Sequence, residues 1–454
     1  MAALSSTGFA GGIFAATTAT RAAADHTLVV QTASAKILDT VTEGMVSVRP
    51  DGPPPVLRTP QHKPFVVDVE NQYPGATAMH WHGLRVPNGM DGVPYLTQPP
   101  ILEGESFRYS FTPSDAGTYW YHPHCLTMDQ MARGLTGVLI IEEAEDPGFD
   151  ADIAVNLRDF RLGKDGQFMK LWTARGAARG GTLGRVMTAD WQTAAVYDAP
   201  AGGLVRLRVV ATDVTRIYRL SLAGAQGRII AMDGHPVRED VAWPSEAEPL
   251  LLSPGQRVDF ALLMPPSEGE EVKLLAKAPG GPRALATLRA VGSDLGRAVA
   301  DTPRLPANPV PEPDLSQAGV KEFIFGWSPS DYAPRNGFCG TLGYTFWSIN
   351  REPYAGDAAD DITPNAVLKH GGSYVFRLIN ESPNGHPVHL HGLTFRPLRS
   401  NKRKLPSNWT DTALIQKGET IDVAFVASNP GNWAFHCHVI EHQKTGLAGY
   451  IRVE

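Results

Sequence analysis

Apolar and polar residues alternate over short stretches throughout this chain, and no long helical periodicity interrupts them. Val205–Val210 (VRLRVV) and Ile421–Val426 (IDVAFV) show the pattern: residues of period two, rich in β-branched types, which predict strands with one face buried. Two longer phrases each recur. Phe65–Gly83 (FVVDVENQYPGATAMHWHG) returns as Tyr374–Gly392 (YVFRLINESPNGHPVHLHG), each an alternating strand, an Asn-bearing turn and His-x-His-Gly. Phe111–Ile141 returns as Phe425–Val453, each with a Gly-bearing loop, an aromatic pair, His-x-His, then Gly-Leu-x-Gly and an apolar strand. Val205–Gly224 and Phe260–Ala278 keep the same rhythm without histidines. Three copies of one β unit are the economical reading, placed at residues 27–145, 146–295 and 317–454, with a linker at 296–316. Thr302–Ser316 carries five prolines and reads as an extended, semi-rigid spacer.

Composition sharpens this picture. With 45 Gly and 37 Pro among 454 residues, the chain is punctuated for turns, as a helical bundle is not. A hydrophobic content of 43% against 19% charged supplies material for sizeable cores and excludes general disorder. The net charge of -6 lacks the basic excess that nucleic acid attracts. No apolar run reaches the length needed to span a bilayer, so no transmembrane anchor is expected. Residues 1–26 read as an export signal processed near Ala24, or as a disordered tail. The signal reading places the protein in the periplasm or outside the cell.

Fourteen histidines occur, and ten fall in four groups: His80 and His82; His122 and His124; His386, His389 and His391; His436, His438 and His442. His26, His62, His235 and His370 are scattered and read as surface or packing residues. One His-x-His pair can be a polar sheet edge, but four groups at recurring repeat positions match clustered transition-metal ligands. Strand geometry divides the work. In His436–Cys437–His438 successive side chains point to opposite faces, so Cys437 can join His386 and His442 in the trigonal His2Cys set of a blue-copper centre. His436 and His438 then face the other His-x-His pairs, at an interface between units one and three. The first unit has Pro123 opposite Cys437 and Thr77 opposite His386, so it can lend imidazoles but cannot build a thiolate site.

At these residues the chain resembles the three-domain multicopper oxidases, a family that includes laccases and bacterial copper-handling oxidases. The likeness spans nearly all of 27–454 and rests on His436–Cys437–His438 with His442, and on His386, His389 and His391 followed by Gly392. It implies an all-β chain of three consecutive cupredoxin-like Greek-key β-sandwich domains holding four coppers. By resemblance His386, Cys437 and His442 bind type 1 copper, and His80 and His389 bind type 2. His82, His122 and His438 would hold one type 3 copper, and His124, His391 and His436 the other. The reaction it implies is four one-electron oxidations of a donor, relayed through Cys437 to His436 and His438, with dioxygen reduced to two waters.

Several residues depart from the family pattern or stand beside it. Leu447 occupies the position where many relatives carry an axial Met and cannot coordinate, so a more oxidising type 1 site is expected. Asp91, before Gly92, is either an ordinary turn residue or a carboxylate that delivers protons to the cluster. Gln443 stands where some relatives have a proton-supplying Glu, with Glu441 close by. Cys125 is expected to be a buried thiol pointing away from the cluster, Cys339 the same, and a bridge between them is left open. Met128 and Met131 read as packing. Glu381 and Asn384 are candidates for orienting a donor.

The expected substrates are phenols or aromatic amines, as for a laccase, with oxidation of cuprous or other metal ions as the alternative. Only ten Met occur, none after Met264, where cuprous-ion oxidases often carry Met-rich insertions. A two-unit copper nitrite reductase or a one-copper electron carrier would leave most of the histidines unexplained, and a non-enzymatic relative would have lost ligands.

Overall fold

The computed structural model describes residues 23–329, 335, 337, 339–357 and 362–454, so most of the expected signal or tail lies outside the described residues. Six sheets form three face-to-face pairs, and their strand orders are non-consecutive as Greek-key connections require. The first pair joins Val41–Ser47, His26–Lys36, Phe65–Asn71 and Ser106–Phe111 with Leu57–Pro60, Gly137–Glu142, Gly117–Pro123 and Met79–His82. The second pair draws on strands between Ala151 and Val291, and the third on strands between Gly319 and Val453. The chain is all-β, built of cupredoxin-like sandwiches.

Alternation drives each sandwich. Phe65, Val67 and Val69 are buried on one strand face, and Leu28 and Val30 meet them from a parallel neighbour. Phe376 and Leu378 do the same in the third pair beside Phe323 and Phe325. Between Val291 and Gly319 the Pro-rich segment has one 3-10 turn, Val299–Asp301, and no strand. Among the described residues no helix is long and apolar enough to cross a membrane.

A buried ion-pair network within the second sandwich is tied to the first by a hydroxyl. Arg206 and Arg208 reach Asp259, and Thr118 donates to Asp259 Oδ1 at 2.7 Å. Such pairs carry little net stability against desolvation, but removing one partner leaves a buried charge uncompensated. The expectation of free thiols at Cys125 and Cys339 is corrected. The two residues are disulfide-bonded across 214 positions, because the fold brings their Cα atoms to 4.4 Å. Cys437 is the free, buried cysteine.

Candidate metal centres

Two pairs of antiparallel strands, the members of each pair distant in sequence, carry most of the histidines. In the first sandwich Met79–His82 pairs with Gly117–Pro123 so that His80 lies opposite His122. In the third, His386–Leu390 pairs with Gly431–Cys437 so that His389 lies opposite His436. Period two then puts His82 and His124, His391 and His438 on the same faces, and the two faces meet. His80 stacks on His391 and His82 on His389, each at 3.8 Å between ring centroids. His391 Nε2 and His436 Nε2 are 3.0 Å apart, and the rings of His122 and His438 are at 5.4 Å. Donor atoms of His124, His391 and His436 all lie within 4.8 Å of one another, as do those of His80, His82 and His122.

The donor set fits a metal cluster. His80, His122 and His389 each donate from Nδ1 to a backbone carbonyl, of Asp91, Pro123 and Asp411. Their Nε2 atoms, with Nε2 of His124, Nδ1 of His82 and both nitrogens of His438, have no partner among the described residues. So many orphaned buried nitrogens are costly unless a cation takes their lone pairs. One nitrogen held by a backbone or carboxylate acceptor and the other aimed inward is the arrangement that orients metal-bound imidazole. Burial, reinforced by neighbouring imidazoles, pushes His82, His122, His124, His391 and His438 well below the usual histidine range, so these rings are neutral and their lone pairs are available.

On the opposite face of Gly431–Cys437 lies a second set. Cys437 Sγ is 3.6 Å from both His386 Nδ1 and His442 Nδ1, and these two nitrogens are 3.1 Å apart. His442 comes from the short helix Ile440–Gln443. Burial pushes the Cys437 thiol up and His442 down to about 4, so the thiolate forms only when a cation replaces its proton. Leu447, fully buried, packs in the same core and offers no donor atom.

Models of multicopper oxidase domains match residues 29–146 and 340–454. A crystal structure of the multi-copper oxidase from Pseudomonas thermotolerans is 37% identical, with a TM-score of 0.83 over 95% of this chain and 100% of that one. The chain belongs to the multicopper oxidases. It is also 28% identical to multicopper oxidase MmcO of Mycobacterium tuberculosis, over 87% of this chain and 80% of the relative. Laccase-1 of Cryptococcus neoformans is 26% identical over 88% of this chain and 76% of the relative. Family membership makes the chain a copper-binding oxidoreductase.

Other residues around this oxidase's centres were not legible as motifs. Asp411 accepts from His82 Nε2 at 3.0 Å through Oδ1, and His389 Nδ1 lies 3.3 Å from the same oxygen. Arg257, from the middle sandwich and fully buried, donates from Nη1 to Asp411 Oδ1 at 3.0 Å and is ion-paired with Oδ2 through Nη2 at 2.8 Å. Burial alone would raise the Asp411 carboxyl, but Arg257 and His82 outweigh it and hold it well below the usual range. A Cβ on Gly255 would come within 3.1 Å of His82 and 3.2 Å of His438, so only glycine lets the middle sandwich approach this closely. The middle unit, whose repeats lack the clustered histidines, therefore forms one wall of the histidine cluster.

Asp91 is both a turn residue and a cluster neighbour: it follows the 3-10 turn Asn88–Met90, and its Oδ2 accepts from His391 Nδ1 at 3.0 Å. Gln443 lines a cavity of about 350 Å³ that reaches His124 and His436. Glu441 instead turns toward the middle unit and accepts from the Thr182 N–H. Met128 and Met131 pack beside Trp120. Glu381 is ion-paired with Arg351 at the surface, while Asn384 approaches Gly180 of the middle unit.

Proposed function

We propose that this multicopper oxidase is laccase-like, coupling four one-electron oxidations of phenols or aromatic amines to reduction of dioxygen to two waters. The observation that carries the reading is one strand serving two sites: Cys437 faces His386 and His442, while His436 and His438 face six further imidazoles. In this reading His386, Cys437 and His442 hold type 1 copper, and His80 and His389 type 2. His82, His122 and His438 hold one type 3 copper, and His124, His391 and His436 the other. Copper supplies donor oxidation at the first site and dioxygen reduction at the cluster. Cys437 joins the two covalently, one residue from each of His436 and His438. Asp91 fixes His391 through Oδ2, and its Oδ1 has no hydrogen-bond partner among the described residues. That oxygen is placed to pass protons inward. Asp91→Asn should slow reoxidation of the reduced protein by dioxygen about 100-fold and leave the blue colour; stopped-flow mixing with dioxygen measures this, and unchanged reoxidation removes the role.

The low methionine content and the laccase relative support organic donors. The disulfide supports an oxidising compartment, periplasmic or extracellular. Oxygen uptake by copper-loaded protein, first with a phenol and then with cuprous ions, beside a peroxide assay, tests the assignment. Uptake with phenol and no peroxide is expected. Uptake with cuprous ions alone moves the role to metal-ion oxidation.

A further inference from the structure

The type 1 site is closed where a donor would touch it. His386 and His442 are fully buried. Outer nitrogens of both rings are occupied: His386 Nε2 by Ser382 Oγ at 2.7 Å, and His442 Nε2 by the backbone carbonyl of Arg179 from the middle unit. A donor in contact with either imidazole edge must displace one of these groups.

Beside the two histidines stands an aromatic pair that does reach solvent. Trp347 is fully buried, and its ring centroid lies 5.1 Å from that of His386 and 4.7 Å from that of His442. Its indole N–H donates to the Ala177 carbonyl at 2.7 Å, which fixes the ring plane. Trp327 is its cross-strand partner, stacked on it at 4.3 Å with an interplanar angle of 17°. Trp327 is 43% exposed. Packing accounts for Trp347, which belongs to the apolar core of the third sandwich. It does not account for a half-exposed indole laid flat on a ring that lies against both His386 and His442.

We propose that Trp327 and Trp347 form an electron-entry port for bulky phenols that cannot reach the histidine edge. The proposal rests on the type 1 assignment above. An electron-rich ring stacks on the open face of Trp327, a contact that large aromatic surfaces favour. The phenol loses one electron and one proton and becomes a phenoxyl radical. The proton would pass to water, and the electron would cross the two indoles to the copper that His386, Cys437 and His442 would hold, which would take it up as a one-electron oxidant. Neither indole is consumed.

The test uses a phenol tethered to soluble dextran, mixed anaerobically with copper-loaded protein while bleaching of the blue absorption is followed. Trp327→Leu should bleach about tenfold more slowly than the parent, and Trp327→Phe, which keeps a ring on Trp347, should retain most of the rate. In the copper-free chain the same tethered phenol should quench indole fluorescence, and Trp327→Leu should remove that quenching. A blue Trp327→Leu protein that bleaches at the parental rate overturns the port and leaves the type 1 assignment standing. A copper-loaded parent with no blue absorption overturns both. Should Trp327→Leu lose its own blue colour, a copper-free parent that shows no quenching overturns the port.

Discussion

The histidine-bearing strand pairs of the first and third sandwiches present the same pairs of imidazoles on one face and different chemistry on the other. In the third, the far side of Gly431–Cys437 gathers Cys437, His386 and His442. In the first, the corresponding positions hold Pro123, Thr77 and, counted back from the shared Gly-Leu-x-Gly, Gln130. Thr77 Oγ1 donates to Gln130 Oε1 at 2.8 Å, and Gln130 Nε2 donates to the Ala76 carbonyl at 2.8 Å. Two neutral side chains thus satisfy each other where two imidazoles and a thiol stand in the other unit. Beside them the Cys125–Cys339 disulfide ties the first unit to the third. Because strand faces alternate independently, one face can lose its metal chemistry while the other keeps its part in a shared cluster.

Removing the thiolate should separate the two faces most strongly. Cys437→Ser is expected to abolish the blue absorption and to lower donor oxidation roughly ten-thousandfold, about 5.5 kcal/mol in barrier. Copper at the histidine cluster should remain, and a copper count with paramagnetic resonance measures it. If copper left both sites together, the faces would not be independent.

The disulfide gives the next largest effect. Cys125→Ala with Cys339→Ala should lower stability by about 2–4 kcal/mol, since a cross-link over a long loop restricts the unfolded chain. Urea unfolding without reductant measures the loss. The blue absorption should survive, because neither cysteine touches Cys437, His386 or His442. Loss of colour would show that the bridge also shapes the third unit.

Asp411→Asn addresses the shared face. Groups that orient metal-bound imidazoles typically change metal affinity or activity by about 10–100-fold, and Asp411 holds His82 directly. Copper content at the cluster, titrated against a chelator, should fall within that range while type 1 colour stays. An unaltered titration would show that the cluster holds its copper without the Asp411 contact to His82.

What the chain revealed of itself follows from where each contact lies along it. The histidine groups were legible because their members are neighbours on one strand and recur in a repeat, so period two decides their facing. The sandwich class was legible from alternation and turn residues. Asp411 and Arg257 were not: each is a single residue outside the repeated phrases, and their contact joins residues 154 positions apart. The cover that Arg179 places over His442 is a backbone carbonyl, and no side-chain motif can announce it. The bridge between Cys125 and Cys339 depends on a Cα separation that only the folded chain sets.

The smallest effect is the most selective. Leu447 follows Gly446 in the third unit and Leu135 follows Gly134 in the first; both are fully buried. In the first unit packing is the whole explanation, since no thiolate stands nearby. In the third, the same leucine borders the core that contains Cys437. Leucine and methionine are close in volume, and such exchanges usually cost less than about 1.5 kcal/mol, so both variants should fold. Leu447→Met brings a thioether into the core beside Cys437, where it would offer a further ligand to a copper held by Cys437, His386 and His442, and ligand identity tunes blue-copper potential. Its type 1 potential should fall below the parent's, read by redox titration of the blue absorption. Leu135→Met should leave that potential where it was. A potential unchanged or raised in Leu447→Met would mean that leucine in the third unit, as in the first, only fills space.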